Sequence, residues 1–141
     1  MALLRVGAPA SNWQEAITAA GTLLVDAGHV KSDYVDAMLR VVEELGPYIV
    51  LIDGFALAHA APGESVLENS ISLAVLDNSV DFGSGKMVGC VFAMAAKDHD
   101  SHIESLGRLA ELLSDEQTRN TLLNARNSAQ IEELLTGVLG E

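Results

Sequence analysis

Cysteine, aromatic residues and positive charge are all scarce in this chain, and each shortage narrows what it can be. Cys90 is the only cysteine among 141 residues, so no internal disulfide can form, in keeping with a reducing compartment. It lies in the apolar run MVGCVFAMAA, where a buried filler is expected rather than a nucleophile. Lys and Arg number 8 against 20 Asp and Glu, a formal net charge of −12. With no basic stripe to neutralise phosphates, nucleic-acid binding is not expected. An acidic surface instead favours solubility and encounter with a basic partner protein. No apolar run approaches the roughly 20 residues that span a bilayer, and MALLRVGAPASNW lacks the basic-then-apolar order of a signal peptide. A soluble, cytoplasmic protein is the expectation. The nucleophile elbow G-x-S-x-G, the P-loop and the dinucleotide fingerprint are also missing, and the GSG of residues 83–85 is too short to count.

What is present is enough apolar residue, 49% of the chain, to bury the core of one domain over residues 1–141. Asn12 and Glu15 have capping-box spacing ahead of Trp13, Ile17, Ala20 and Leu24, with Gly28 as a stop. SDYVDAMLRVVEELGP repeats the pattern, with Tyr34, Met38, Val41 and Leu45 on one face and Gly46-Pro47 as its end. The period then changes. YIVLI (48–52), FALA (55–58), ISLAVL (71–76) and MVGCVFAMAA (87–96) are short apolar runs between Asp-Gly, Pro-Gly and Gly-Ser-Gly breaks, and read as strands. LLRV near the start suggests an added edge strand. SHIESLGRLAELL, SDEQTRNTLLNA and NSAQIEELLTGVL return to helical spacing. Helices before and after a central group of strands point to a layered α/β fold.

The four histidines carry the chemical interest. His29 follows a helix stop, an ordinary structural position. His99 lies in the polar run KDHDSH. His102 sits inside S-x-x-E, with Ser101 and Glu104 reading as a capping box and His102 as the first helical residue. Free amides at such a start suit an anion and disfavour a protonated imidazole, and a helix beginning just after a strand is where open α/β sheets collect ligands. His59, in IDGFALAHAAPGESV, ends a small apolar run and is followed by Pro and Gly. That corner can expose a reactive ring on a rigid support, and it can equally hold an idle, hydrogen-bonded histidine. Small neighbours, Ala58 and Ala60, leave room for a partner to approach. His59 and His102 with Asp98 or Asp100 have the donor types for a metal, but no close His/Cys pair supports one.

At this point four stretches taken together, NWQEAITAAGTLLVDAGHVKSDYVDAML, ELGPYIVLIDGFALAHAAP, VDFG and HIESLGRLAELL, resemble an enzyme IIA domain of the bacterial phosphoenolpyruvate-dependent sugar phosphotransferase system. The likeness is to the mannitol–fructose superfamily, closest to its ascorbate-type branch, and runs over residues 10–136. It implies a mixed, roughly five-stranded sheet with helices on both faces. It further implies that His59 accepts a phosphoryl group from phospho-HPr and that His102 supports that group in the same pocket. No cofactor or metal is implied. The acceptor would be a cysteine of enzyme IIB, with the membrane component IIC reached only indirectly, and exposed helix faces leave a homodimer open. A neutral imidazole is a competent nucleophile towards phosphorus, and helix-start amides near Ser101 would add stabilisation of the equatorial oxygens. A basic rim on HPr would match the chain's acidity.

The chain departs from the family's pattern at three positions. Ala58 stands where a proline precedes the active histidine, Ala61 where ascorbate-type members carry an arginine, and Asp53 where many relatives have proline. Asp53 is thereby expected to bring negative charge towards the pocket. Two other roles fit the same fold: a regulatory domain that binds partners according to its phosphorylation state, and a degenerate binding module without catalysis. The sugar is not legible, because an enzyme IIA meets HPr and IIB rather than the sugar.

Overall fold

The structure is a computed structural model that describes residues 3–139; the outermost two residues at each end of the 1–141 span lie outside it. Five strands form one sheet: β1 (Leu4–Ala8), β2 (Val50–Ile52), β3 (Gly54–His59), β4 (Ser70–Asp81) and β5 (Met87–Ala95). Their spatial order is β1-β4-β5-β3-β2. β1 runs parallel to β4 and β3 parallel to β5, while β4–β5 and β2–β3 are antiparallel. The sheet is therefore mixed, as expected.

Pleat alternation sorts the side chains onto two faces. Ser72, Ala93 and Ala58 form one lateral row, and Leu73, Phe92 and Leu57 the next. Helix α1 (Trp13–Asp26) covers the row of small residues, where Ser72 Oγ donates to the Ala20 carbonyl at 2.7 Å. Helix α2 (Asp33–Leu45) packs beside it, with the methyls of Val35 and Met38 closing over Gly21. A Cβ at Gly21 would lie 2.9 Å from Val35 Cγ2, so this close approach depends on glycine. The opposite row lies under helix α3 (His99–Leu113), whose Leu106, Leu109 and Leu113 form a groove of ≈ 380 Å³ with Leu57, Leu51 and Ile52. Helices thus cover both faces. Helix α4 (Glu116–Leu123) sets Leu123 over Gly54 and Gly89, and α5 (Glu132–Leu135) is a single turn. No helix among the described residues is long and apolar enough to cross a membrane.

Several boundaries differ from the sequence reading, each for a local reason. Pro47–Ile49 is a 3-10 turn, so the strand expected at 48–52 begins at Val50. β4 runs to Asp81, beyond the apolar pattern, because Val80 and Asp81 still find Val88 and Met87 across the hairpin. On α2 the buried stripe is Tyr34, Met38 and Val42, whereas Leu45 is 63% exposed. Four-residue steps from Tyr34 reach Val42 rather than Val41. The expected last helix breaks into a 3-10 turn at Ser128–Gln130 and α5, with Gly137 at φ 85° beyond.

Candidate functional site

β3 ends at His59, and its register with β5 sets that residue beside Met94. Alternation puts the imidazole on the Leu57 side of the sheet, under α3. His102, in the first turn of α3, meets it there: the ring centroids are 5.3 Å apart with planes tilted by 58°. Both residues are half-buried. The two histidines singled out from the sequence, separated by 43 positions of chain, are therefore neighbours.

The His59 ring has a direction. Its Nδ1 lies 3.3 Å from the Leu57 carbonyl oxygen. A carbonyl only accepts, so this contact assigns the proton to Nδ1 and leaves the lone pair on Nε2. His102 has its pKa held below the usual imidazole value of 6.5, first by burial, then by the like charges that His59 and His99 would carry. Above 6.5 it is therefore neutral and able to donate one N–H.

The start of α3 differs from the expected capping box. The helix opens at His99, with Asp98 as its N-cap, and Asp98 Oδ1 accepts from the Ser101 amide at 2.8 Å. Ser101 is thus the third helical residue and His102 the fourth, with its own amide bonded to the Asp98 carbonyl at 3.1 Å. A charged acceptor three residues upstream outcompetes the serine as a cap. The Asp98 carboxyl is held below its ordinary value mainly by the Ser101 amide and hydroxyl. Because Asp98 already occupies the Ser101 amide, that amide is not free for an incoming phosphate. Among the described residues no three His, Cys, Asp or Glu side chains converge as a metal site.

Asp53 does not approach the pair. It lies in the turn before β3, at the far end of a strand of six residues, about 20 Å from His59 at about 3.3 Å per residue. The expectation that it would charge the pocket is corrected by this geometry. Ala58 points to the α1 face and pairs with Ala93, inside the ladder. Ala61 is exposed just beyond the strand.

Some of the residues that hold the site gave little sign in the sequence. Asn69 joins its parts: its Oδ1 accepts from the Lys97 amide at 2.7 Å and its Nδ2 donates to Ser101 Oγ at 3.2 Å, tying the start of β4 to the start of α3. His29 pairs through Nδ1 with Ser70 Oγ at 2.8 Å, and its carbonyl accepts from Leu67 and Glu68. With the Lys31–Ser65 bond and the Val30–Val66 bridge, this stitches the connection after His59 to the α1–α2 turn. The Tyr34 hydroxyl reaches the backbone of Ala60 and Met94. Of these, the sequence marks Tyr34 only as part of a helix face. A polar tip on a residue of that stripe was the one available signal.

Fold and site together define an α/β protein whose distinguishing groups are two imidazoles at the carboxyl end of a parallel strand. The chain belongs to the family described as phosphoenolpyruvate-dependent sugar phosphotransferase system, EIIA 2, whose model matches residues 2–137. It is 32% identical over 128 residues to the mannitol-specific cryptic phosphotransferase enzyme IIA component of Escherichia coli, covering 90% of this chain and 87% of that one. It is 33% identical over 135 residues to the ascorbate-specific EIIA component of the same organism, with 94% and 88% covered. Among solved structures it resembles a chain in the complex of enzyme IIAMTL and phosphorylated enzyme IIBMTL from Escherichia coli, with a TM-score of 0.83 at 27% identity over 96% of this chain and 95% of that one. Membership of this family assigns the chain a general role in phosphoryl transfer within the sugar phosphotransferase system.

Proposed function

We propose that the chain is a cytoplasmic phosphocarrier, a single EIIA domain that takes a phosphoryl group from phospho-HPr onto Nε2 of His59 and passes it to a cysteine of enzyme IIB. The observation that carries this reading is the contact of His59 Nδ1 with the Leu57 carbonyl, which leaves Nε2 as the nucleophilic nitrogen, beside a second imidazole at 5.3 Å.

The Nε2 lone pair attacks phosphorus, the bond from phosphorus to phospho-HPr breaks, and HPr keeps that electron pair. As the new bond forms, positive charge grows on the His59 ring, and the Nδ1–H···O bond to Leu57 strengthens in the transition state. A neutral His102 donates an N–H to a phosphoryl oxygen. Such a transfer asks the protein mainly for position and for charge stabilisation. In the second half, the IIB thiolate attacks phosphorus and the His59 ring leaves neutral, with its Nδ1 proton still in place. Mannitol and ascorbate are the sugars named for the relatives, and uptake of a related small polyol or sugar acid, with phosphorylation by IIB, is the physiological outcome we assign.

The test is intact mass after incubation with phosphoenolpyruvate, enzyme I and HPr, wild type beside His59→Ala. One acid-labile phosphate on the wild type alone is expected. Equal phosphate on the variant would remove His59 from its role, and none on either protein would leave a binding module without catalysis.

A further inference from the structure

We infer that Tyr34 is a positioning residue for His59, acting through the backbone on both sides of it; the inference rests on the phosphocarrier reading. Tyr34 stands on α2, with 2% of its surface exposed, on the sheet face opposite the imidazole. Its hydroxyl carries one proton, and the shortest contact claims it: Oη donates to the Met94 carbonyl at 2.7 Å. The same oxygen accepts from the Ala60 amide at 3.0 Å, with the Ala60 carbonyl at 3.3 Å.

These two partners bracket His59. Met94 is its lateral neighbour on β5, and Ala60 follows it in the chain. The β3–β5 ladder ends at His59, so the Ala60 amide has left the ladder and takes the tyrosine hydroxyl as its acceptor. Ala60 and Met94 are 8% and 1% exposed, so water is a poor substitute for either bond. Tyr34 thereby carries the order of the sheet one residue past its end, holding the His59 backbone from behind while the ring in front bonds to Leu57. A core-filling aromatic would need no such reach, and phenylalanine would fill the same space.

Tyr34→Phe tests this by removing the hydroxyl and keeping the ring. At saturating phospho-HPr the rate of phosphorylation is expected to fall about tenfold, with the half-saturating concentration of phospho-HPr unchanged, as for a group that acts on the reacting geometry. Nitrogen-15 NMR of the His59 ring is expected to move from the Nδ1-protonated tautomer towards a mixture. Ser72→Ala is the control: it also removes a buried hydrogen bond on the α1 face, and should lower Tm without changing either readout. If Tyr34→Phe behaves like that control, Tyr34 is structural and the inference is overturned. If Tyr34→Phe does not fold, 3-fluorotyrosine in a Tyr48→Phe background keeps the ring and alters the hydroxyl's hydrogen bonding. A His59 nitrogen shift is then expected, and an unchanged one overturns the inference. Should the wild type take no phosphate, the phosphocarrier reading fails, while the tautomer measurement still decides whether Tyr34 sets the ring.

Discussion

His59 and His102 face one another across 5.3 Å, yet they hang from unlike supports. His59 is the last residue of a strand paired along its length with β5, and the chain just beyond it is held by the Tyr34 hydroxyl and by the stitching of residues 65–70 to the α1–α2 turn. To move its Cα, a parallel ladder must open. His102 closes the first turn of α3: its own amide bonds to the Asp98 carbonyl, while the residues before it are restrained by the Asp98 cap and the Asn69 bridge, both on exposed side chains. First turns fray easily, because their amides depend on caps rather than on a preceding turn. On the phosphocarrier proposal the difference is a division of labour: a fixed imidazole suits the atom proposed to bond phosphorus, and an adjustable one suits a neighbour that would follow the phosphoryl oxygens as they move.

The largest effect that can break this comparison comes from exchanging the two roles. His59→Gln should take up no phosphate in the intact-mass assay. His102→Gln, which keeps a donor of different reach, should still be phosphorylated at His59, slowed by about 10²-fold on the scale of losing one oxyanion donor. Equal losses in the two variants would mean that the histidines act as one unit and that their different supports carry no functional distinction.

A smaller effect sharpens the same contrast. Asn69→Ala frees the Lys97 amide and the Ser101 hydroxyl at the start of α3, and neither of these two bonds involves β3. Amide hydrogen exchange should quicken over residues 99–103 and stay unchanged over 55–59, with a loss of about 1 kcal/mol or less and a transfer rate lowered a few-fold. Faster exchange along β3 would show that the two supports are coupled.

Much of this arrangement was legible because it rests on local signals. Asn12 does cap α1, accepting from the Glu15 amide at 2.9 Å, although Glu15 Oε1 accepts in turn from the Ser11 amide rather than from that of Asn12. The strand around FALA, the hairpin through Gly83 and Gly85, and the break at Gly46 all follow from apolar runs and left-handed glycines. The sequence pattern sets the start of α3 three residues late, since Asp98-x-x-Ser101 and Ser101-x-x-Glu104 are overlapping cap patterns and only the packed helix shows which acceptor holds the Ser101 amide. That Asp53 stands where many relatives have proline carries no distance to the pocket, and an extended strand of six residues holds its two ends apart. The meeting of His59 with His102 was supplied by family resemblance. Periodicity could place each on its element, but the register of β3 with β5 and the crossing of α3 over the sheet are set by contacts distant in the chain. Tyr34 and Asn69 were hidden for the same reason: their partners are 26 to 60 residues away for Tyr34 and 28 to 32 for Asn69.

The smallest predicted effect concerns proton binding at His102, and it needs no phosphate. The pKa of His102 is lowered from 6.5 in the folded chain, chiefly by burial. Between the depressed folded value and 6.5 the unfolded chain therefore binds more protons at this site than the folded one. By linkage, stability then rises with pH across that interval, and falls as pH drops through it because folding has to hold the ring neutral. Partial exposure keeps the effect modest. His102→Gln should flatten the slope of Tm against pH just below 6.5, and the wild-type His102 ring should titrate by NMR below that value. Asn69→Ala gives a further arm: a loosened first turn lets water reach the ring and should move its titration back towards 6.5. A His102 that titrates at or above 6.5 in the folded wild type would mean that the ring is already charged when phosphate arrives, and the neutral-donor role assigned to it would have to be replaced by that of a cation.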